Sequence, residues 1–123
     1  MNPSDLTFLG EAIEADGTIQ PARLVLRLRI TRTELAAASG LSRDAVSKQS
    51  RVHARATQTR LRDMSEILAR VLPWAGSVAQ AFAWYRAQPI PAFGDQTAED
   101  LVKEGRAEAV KAYLSRIAVG GYA

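Results

Sequence analysis

The sequence predicts an all-α protein on three observations. Apolar residues return at helical three- and four-residue steps, as at Leu61, Met64, Leu68, Val71 and Leu72. No stretch alternates apolar and polar residues long enough to make a strand. Capping residues and glycine stops bracket the stripes, as from Thr31 to Gly40 and from Thr97 to Gly105. With 123 residues, 47% of them apolar, the chain holds one domain or two small helical modules sharing a core.

The absence of cysteine excludes disulfides, zinc–thiolate sites and thiol catalysis, and fits a reducing cytoplasm. No apolar run is long enough to span a membrane, and the acidic start has no basic-then-apolar leader. His53 is the sole histidine and has no acidic cluster beside it, so neither a metal nor a cofactor is expected. No nucleophile–base pair or phosphate-cradling glycine loop points to an enzyme. Net charge is +3 and uneven. Asp5, Glu11, Glu14 and Asp16 make residues 1–20 acidic, whereas residues 21–70 set eleven Arg or Lys against four acids. Only that middle stretch has an electrostatic reason to approach nucleic acid.

In order, residues 1–20 read as an acidic arm, or as a short helix with Leu6, Leu9 and Ile13 on one side, stopping at Asp16-Gly17. Pro21 suits a first helical position, and Leu24 and Leu28 form a stripe behind Arg23, Arg27 and Arg29. Thr31 and Glu34 form a capping box. Gly40 ends that helix, and Ser42 is expected to cap another from Arg43 to about Arg51. Residues 51–60 read as a basic polar link. Thr57 or Thr59 is expected to cap a helix that Pro73 closes. A helix from Trp74 to Gln88 follows, with Trp74, Val78, Phe82 and Tyr85 as core. Pro89 and Pro91 hold a turn from which Phe93 returns to the core. Thr97 caps a short helix ended by Gly105. The last helix carries Val110, Leu114 and Ile117, and Gly120-Gly121 should release Tyr122-Ala123 as a tail.

The stretch Thr33 to Lys48, with small Ala36, the turn at Gly40 and the start at Ser42, resembles the helix-turn-helix of Xre-type regulators. That resemblance places Arg43, Ser47, Lys48 and Arg51 outward as DNA-contacting residues. Lys48 and Arg51 would meet phosphates, and Arg43 or Ser47 base edges.

Trp84, Pro91 with Phe93-Gly94, Thr97 with Leu101, Gly105, the Val110–Leu114–Ile117 stripe, and Gly120 with Tyr122 follow in the order of a second family. Together they resemble the toxin-binding domain of the Xre/MbcA/ParS antitoxins. Ala98 replaces the family's usual proline, and Gly121 stands where an apolar residue is common. The fold so implied is an Xre-like helix-turn-helix over 21–72 and a compact helical toxin-binding domain over 73–123. The function implied is that of a type II antitoxin, not an enzyme. It would neutralise a RES-domain toxin that degrades NAD+ or transfers its ADP-ribose. Gly120, Gly121, Tyr122 and Ala123 would enter the toxin's active site, the ring and hydroxyl of Tyr122 and the Ala123 carboxylate meeting the NAD+ pocket. Implied partners are that toxin, a second copy of the chain in a homodimer, and operator DNA, with no membrane. The alternative is a transcriptional regulator whose C-terminal half only dimerises.

Overall fold

The computed structural model describes residues 12–120. Seven α-helices are delimited among the described residues: α1 Pro21–Leu28, α2 Arg32–Ser39, α3 Gln49–Val52, α4 Arg55–Ala75, α5 Val78–Ala87, α6 Ala98–Lys103 and α7 Ala107–Gly120. A 3-10 turn spans Pro91–Phe93. Extended pairing among the described residues is confined to two isolated bridges, Ile13 with Ile19 and Ile90 with Gln96.

The long α4 is the central post. It packs against α2, α3, α5, α6 and α7. Leu61, Met64, Ile67, Leu68 and Val71 along it are buried, the face expected of an amphipathic helix whose stability comes from packing. Buried residues from Ala12 to Leu114 form one hydrophobic cluster. The boundary expected between residues 72 and 73 therefore falls inside a helix.

Several readings of the chain are corrected. The helix expected from Arg43 to Arg51 is not continuous. Ser42 Oγ does cap, accepting from Ala45 N–H (3.1 Å), and Lys48 N–H reaches the Asp44 carbonyl (2.9 Å). Lys48 itself is extended (φ −94°, ψ 124°) before α3 begins. Ala45 and Val46 are buried, whereas Ser47 to Arg51 are outside the core. Burial thus anchors a single turn, and a short helix without packing does not propagate. The basic link of residues 51–60 is mostly helical, because Val52, Thr57 and Leu61 give it an inward face. Helix α4 starts at Arg55 behind Ala54, with no side-chain cap, so neither Thr57 nor Thr59 begins it.

Pro73 does not close α4. It sits exposed within the last turn, and Gly76 ends the helix in the left-handed region (φ 94°). Trp74 therefore belongs to α4. Ser77 caps α5, accepting from Gln80 N–H (3.1 Å).

Ala12 is helical, as the short-helix reading expects, and residues 13–19 form a turn at the expected Asp16-Gly17 stop. Ile13 and Ile19 bridge around a turn in which Gly17 has φ 86°, and Asp16 Oδ1 accepts from Thr18 N–H (2.9 Å). That bond, from the Thr18 backbone, holds the Asp16 carboxyl below its ordinary pKa. Gln58 of α4 clamps the turn's far strand: its amide accepts from Ile19 N–H (2.8 Å) and donates to the Ile19 carbonyl (3.0 Å). Leu6 and Leu9 lie outside the described residues.

Candidate functional site

Helix α7 is anchored at its base and free toward its end. Ala107, Val110 and Leu114 are buried, whereas Ser115, Arg116 and Ala118 are exposed and Ile117 only half-covered. From Ser115 to Ala118 no residue is buried. The six residues after Leu114 carry the helix about 9 Å onward at 1.5 Å each.

Three contacts fix the base. Lys111, 8% exposed, places Nζ against Glu66 (2.7 Å), Asp63 (2.9 Å) and Glu108 (3.2 Å). Burial works against its charge, but the bonds to Glu66, Asp63 and Glu108 outweigh that and hold its pKa above the ordinary value. Arg70 of α4 donates to the Lys111 carbonyl (3.0 Å), so one turn of α7 is gripped through both side chain and backbone. Tyr113 meets Phe93 edge to face at 5.8 Å, and the Arg106 guanidinium covers the same Phe93 ring at 5.6 Å. Phe93 is half-buried beneath this pair, and the 3-10 turn braces α7.

The turn is held by local chemistry. Ile90 and Gln96 bridge across it, and Gly94 takes φ 65°. Thr97 and Asp100 form a complete capping box at the start of α6. Glu99, buried behind that cap, bonds Arg86 of α5 (2.6 Å) and Lys103 (2.9 Å). Nearby, Trp74 stands 38% exposed, edge to face with Trp84 at 6.3 Å.

The two halves of the chain are bonded together. Tyr85 is fully buried and its hydroxyl donates to the Ala38 carbonyl at the end of α2 (2.7 Å). Burial, reinforced by Glu99, pushes its phenol far above the ordinary pKa. Gly40, at φ 70°, lies under α4 and α6: a Cβ there would stand 2.8 Å from Arg60 Nη1 and 3.0 Å from Lys103 Cγ.

Of the residues assigned to the tail, Gly120 is the last of α7, and Gly121, Tyr122 and Ala123 lie outside the described residues. Arg43, Ser47 and Lys48 lie between α2 and α3 and engage near neighbours, and Arg51 lies within α3. Arg43 donates to Ser47 Oγ and to Thr33 Oγ1 (3.3 Å), and Lys48 pairs with Asp44 (3.4 Å). The grip on Lys111 was missed by the sequence reading, although Lys111 falls within the apolar steps Ala107, Val110 and Leu114. A lysine inside such a stripe, opposite acids three apart on another helix, is the signal that was there. Among the described residues no group of three His, Cys, Asp or Glu is placed to hold a metal. No described helix is long and apolar enough to cross a membrane.

Residues 68–120 match the model of one family, the antitoxin Xre/MbcA/ParS C-terminal toxin-binding domain. The match runs from the middle of α4 to the end of α7 and takes in each contact that fixes α7 except Asp63 and Glu66. No curated protein and no solved structure matches the chain.

Proposed function

With a C-terminal segment that belongs to the Xre/MbcA/ParS antitoxin toxin-binding family, we propose that the chain neutralises an NAD+-consuming RES-domain toxin by tail insertion. The family match itself implies a toxin as partner and a regulatory, non-enzymatic protein. In the proposal, Gly120, Gly121, Tyr122 and Ala123 enter the toxin's active site and occlude it. The observation that carries this is the build of α7: gripped at Lys111, braced at Tyr113, and without a buried residue from Ser115 to Ala118. A helix held this way aims whatever follows it along a fixed line. Four residues extend at most about 13–14 Å, enough to enter a pocket. Glycines at 120 and 121 let the backbone approach closely, and Tyr122 supplies a ring and a hydroxyl.

The test is deletion of Gly120–Ala123. The truncated protein should keep its helical content and denaturation midpoint yet fail to rescue growth when its toxin is co-expressed, with cellular NAD+ falling. Neutralisation by the truncated protein refutes occlusion by the tail and leaves α5–α7 as the inhibitory surface. Repression of its own operon as a homodimer belongs to the same proposal. Its support is the Thr31 capping box and the Gly40 turn in α2, which frame a helix-turn-helix entrance.

A further inference from the structure

We propose that α1 is a contact surface for duplex nucleic acid, and that it, more than residues 43–51, supplies the chain's affinity for a polyanion. Leu26 stands 79% exposed in the middle of an open depression of about 330 Å³ lined by Arg23, Arg27 and Arg29 as well. Arg23, Leu26 and Arg27 fall at i, i+3 and i+4, so one helical face presents them together. Arg29 follows as the helix's left-handed cap at φ 58°. The opposite face holds Leu24 and Leu28 in the core, so this arrangement is set by burial and does not depend on a partner.

Charge selects the occupant. Between Asp16 and Glu34 there is no acidic residue, and all four basic ones, Arg23, Arg27, Arg29 and Arg32, are arginine. A second copy of this surface would bring like charges together. A protein partner is usually met by charges of both signs, whereas a phosphate backbone asks only for cations. Guanidinium forks match phosphate oxygens in pairs, as ammonium groups do not. An apolar side chain projecting from such an arginine cluster is the arrangement by which proteins wedge an aliphatic group against base steps in the minor groove. Arg23 and Arg29 are exposed and carry this surface's charge, whereas Arg43 is shared between Ser47 and Thr33 and Lys48 is paired with Asp44. This inference does not depend on tail insertion.

The experiment measures binding of the full chain to a fluorescent 30-base-pair random-sequence DNA duplex across a salt series. The variants are Arg23→Gln with Arg29→Gln, Leu26→Ala, and Lys48→Gln with Arg51→Gln. Each lost phosphate contact should flatten the log–log salt slope by about 0.9, so the first variant should lose about 1.8 and bind roughly 60-fold more weakly at 0.1 M salt. Leu26→Ala should weaken binding several-fold with the slope unchanged, and the Lys48–Arg51 variant should change the slope less than the first. Toxin neutralisation should survive in the first variant. Absence of DNA binding by the unaltered chain at 0.05 M salt overturns the proposal, as does a slope lost only in the Lys48–Arg51 variant. Loss of neutralisation with DNA binding intact also overturns it, and assigns α1 to a protein partner. Failure of tail deletion to affect neutralisation bears on the earlier proposal alone.

Discussion

Replacing Lys111 by methionine tests whether α7 is truly gripped. The ammonium is 8% exposed and faces carboxylates that are 19% (Asp63), 37% (Glu66) and 87% (Glu108) exposed. Glu108 is nearly in water and contributes little. Asp63 and Glu66 stand three apart on α4, and without Lys111 they repel across a half-buried seam. Removing one partner of a fully buried pair costs about 3–5 kcal/mol; the partial exposure of these acids brings the expectation to about 2–3 kcal/mol. At a urea slope of about 1–3 kcal/mol per molar, the midpoint should fall by roughly 1–2 M.

Adding Asp63→Asn and Glu66→Gln to Lys111→Met should recover half of that loss or more, because replacing every member of a buried ionic group is far milder than orphaning one. The sign with pH follows from the raised lysine. Its stabilisation is complete below the ordinary value of 10.5 and is lost as pH climbs through the higher folded value. The gap between the unaltered protein and the methionine variant should therefore stay constant from pH 7 to 10 and narrow only above 10.5. A methionine variant within 0.5 kcal/mol of the parent, or a triple variant no better than the single one, would refute the account.

Tyr85→Phe should cost about 1–3 kcal/mol in urea denaturation, because it leaves the buried Ala38 carbonyl without its donor. Above pH 10 the parent should then weaken more steeply than the variant, because the unfolded chain's Tyr85 phenol ionises and the buried one does not. Gly40→Ala should lower stability more than Gly17→Ala in thermal melts. Both residues have positive φ and share a backbone cost of about 1–2 kcal/mol. Only at Gly40 does the new Cβ meet Arg60 and Lys103, whereas nothing lies within 4 Å of a Cβ at Gly17. Equal losses at the two positions would show that the close approach at Gly40 has no energetic weight.

Much of the fold was legible because it is written in local chemistry. The capping box at Thr31, the cap at Thr97, the glycines that end helices at 40 and 105, and the stripe of α4 are found where the residue pattern put them. What misled was punctuation overruled by packing. Pro73 reads as a stop, yet the helix runs one more turn before Gly76. Ser42 reads as the start of a reading helix, and it is a cap, but only Ala45 and Val46 behind it are buried. At residues 13–19 the stop at Asp16-Gly17 was legible, but the clamp on Ile19 was not, because it comes from the side chain of Gln58 at 39 residues' separation. At the site, the scaffold of α7 was readable from Val110 and Leu114. Its ionic grip was signalled only by the lysine inside that stripe, because no period points to partners 45 and 48 residues away.

The hydroxyl of Tyr85 on the end of α2 bears on how such a chain is re-engineered or diversified. A module can be exchanged for a foreign one only where few specific contacts cross the seam. Here a buried bond, the snug glycine at position 40 and the unbroken α4 all cross it. A graft that joined the N-terminal helices of one such protein to the C-terminal helices of another would inherit an unsatisfied carbonyl at Ala38 or an unsatisfied phenol at Tyr85. New partner specificity is therefore more accessible by substitutions on the outer faces than by shuffling halves.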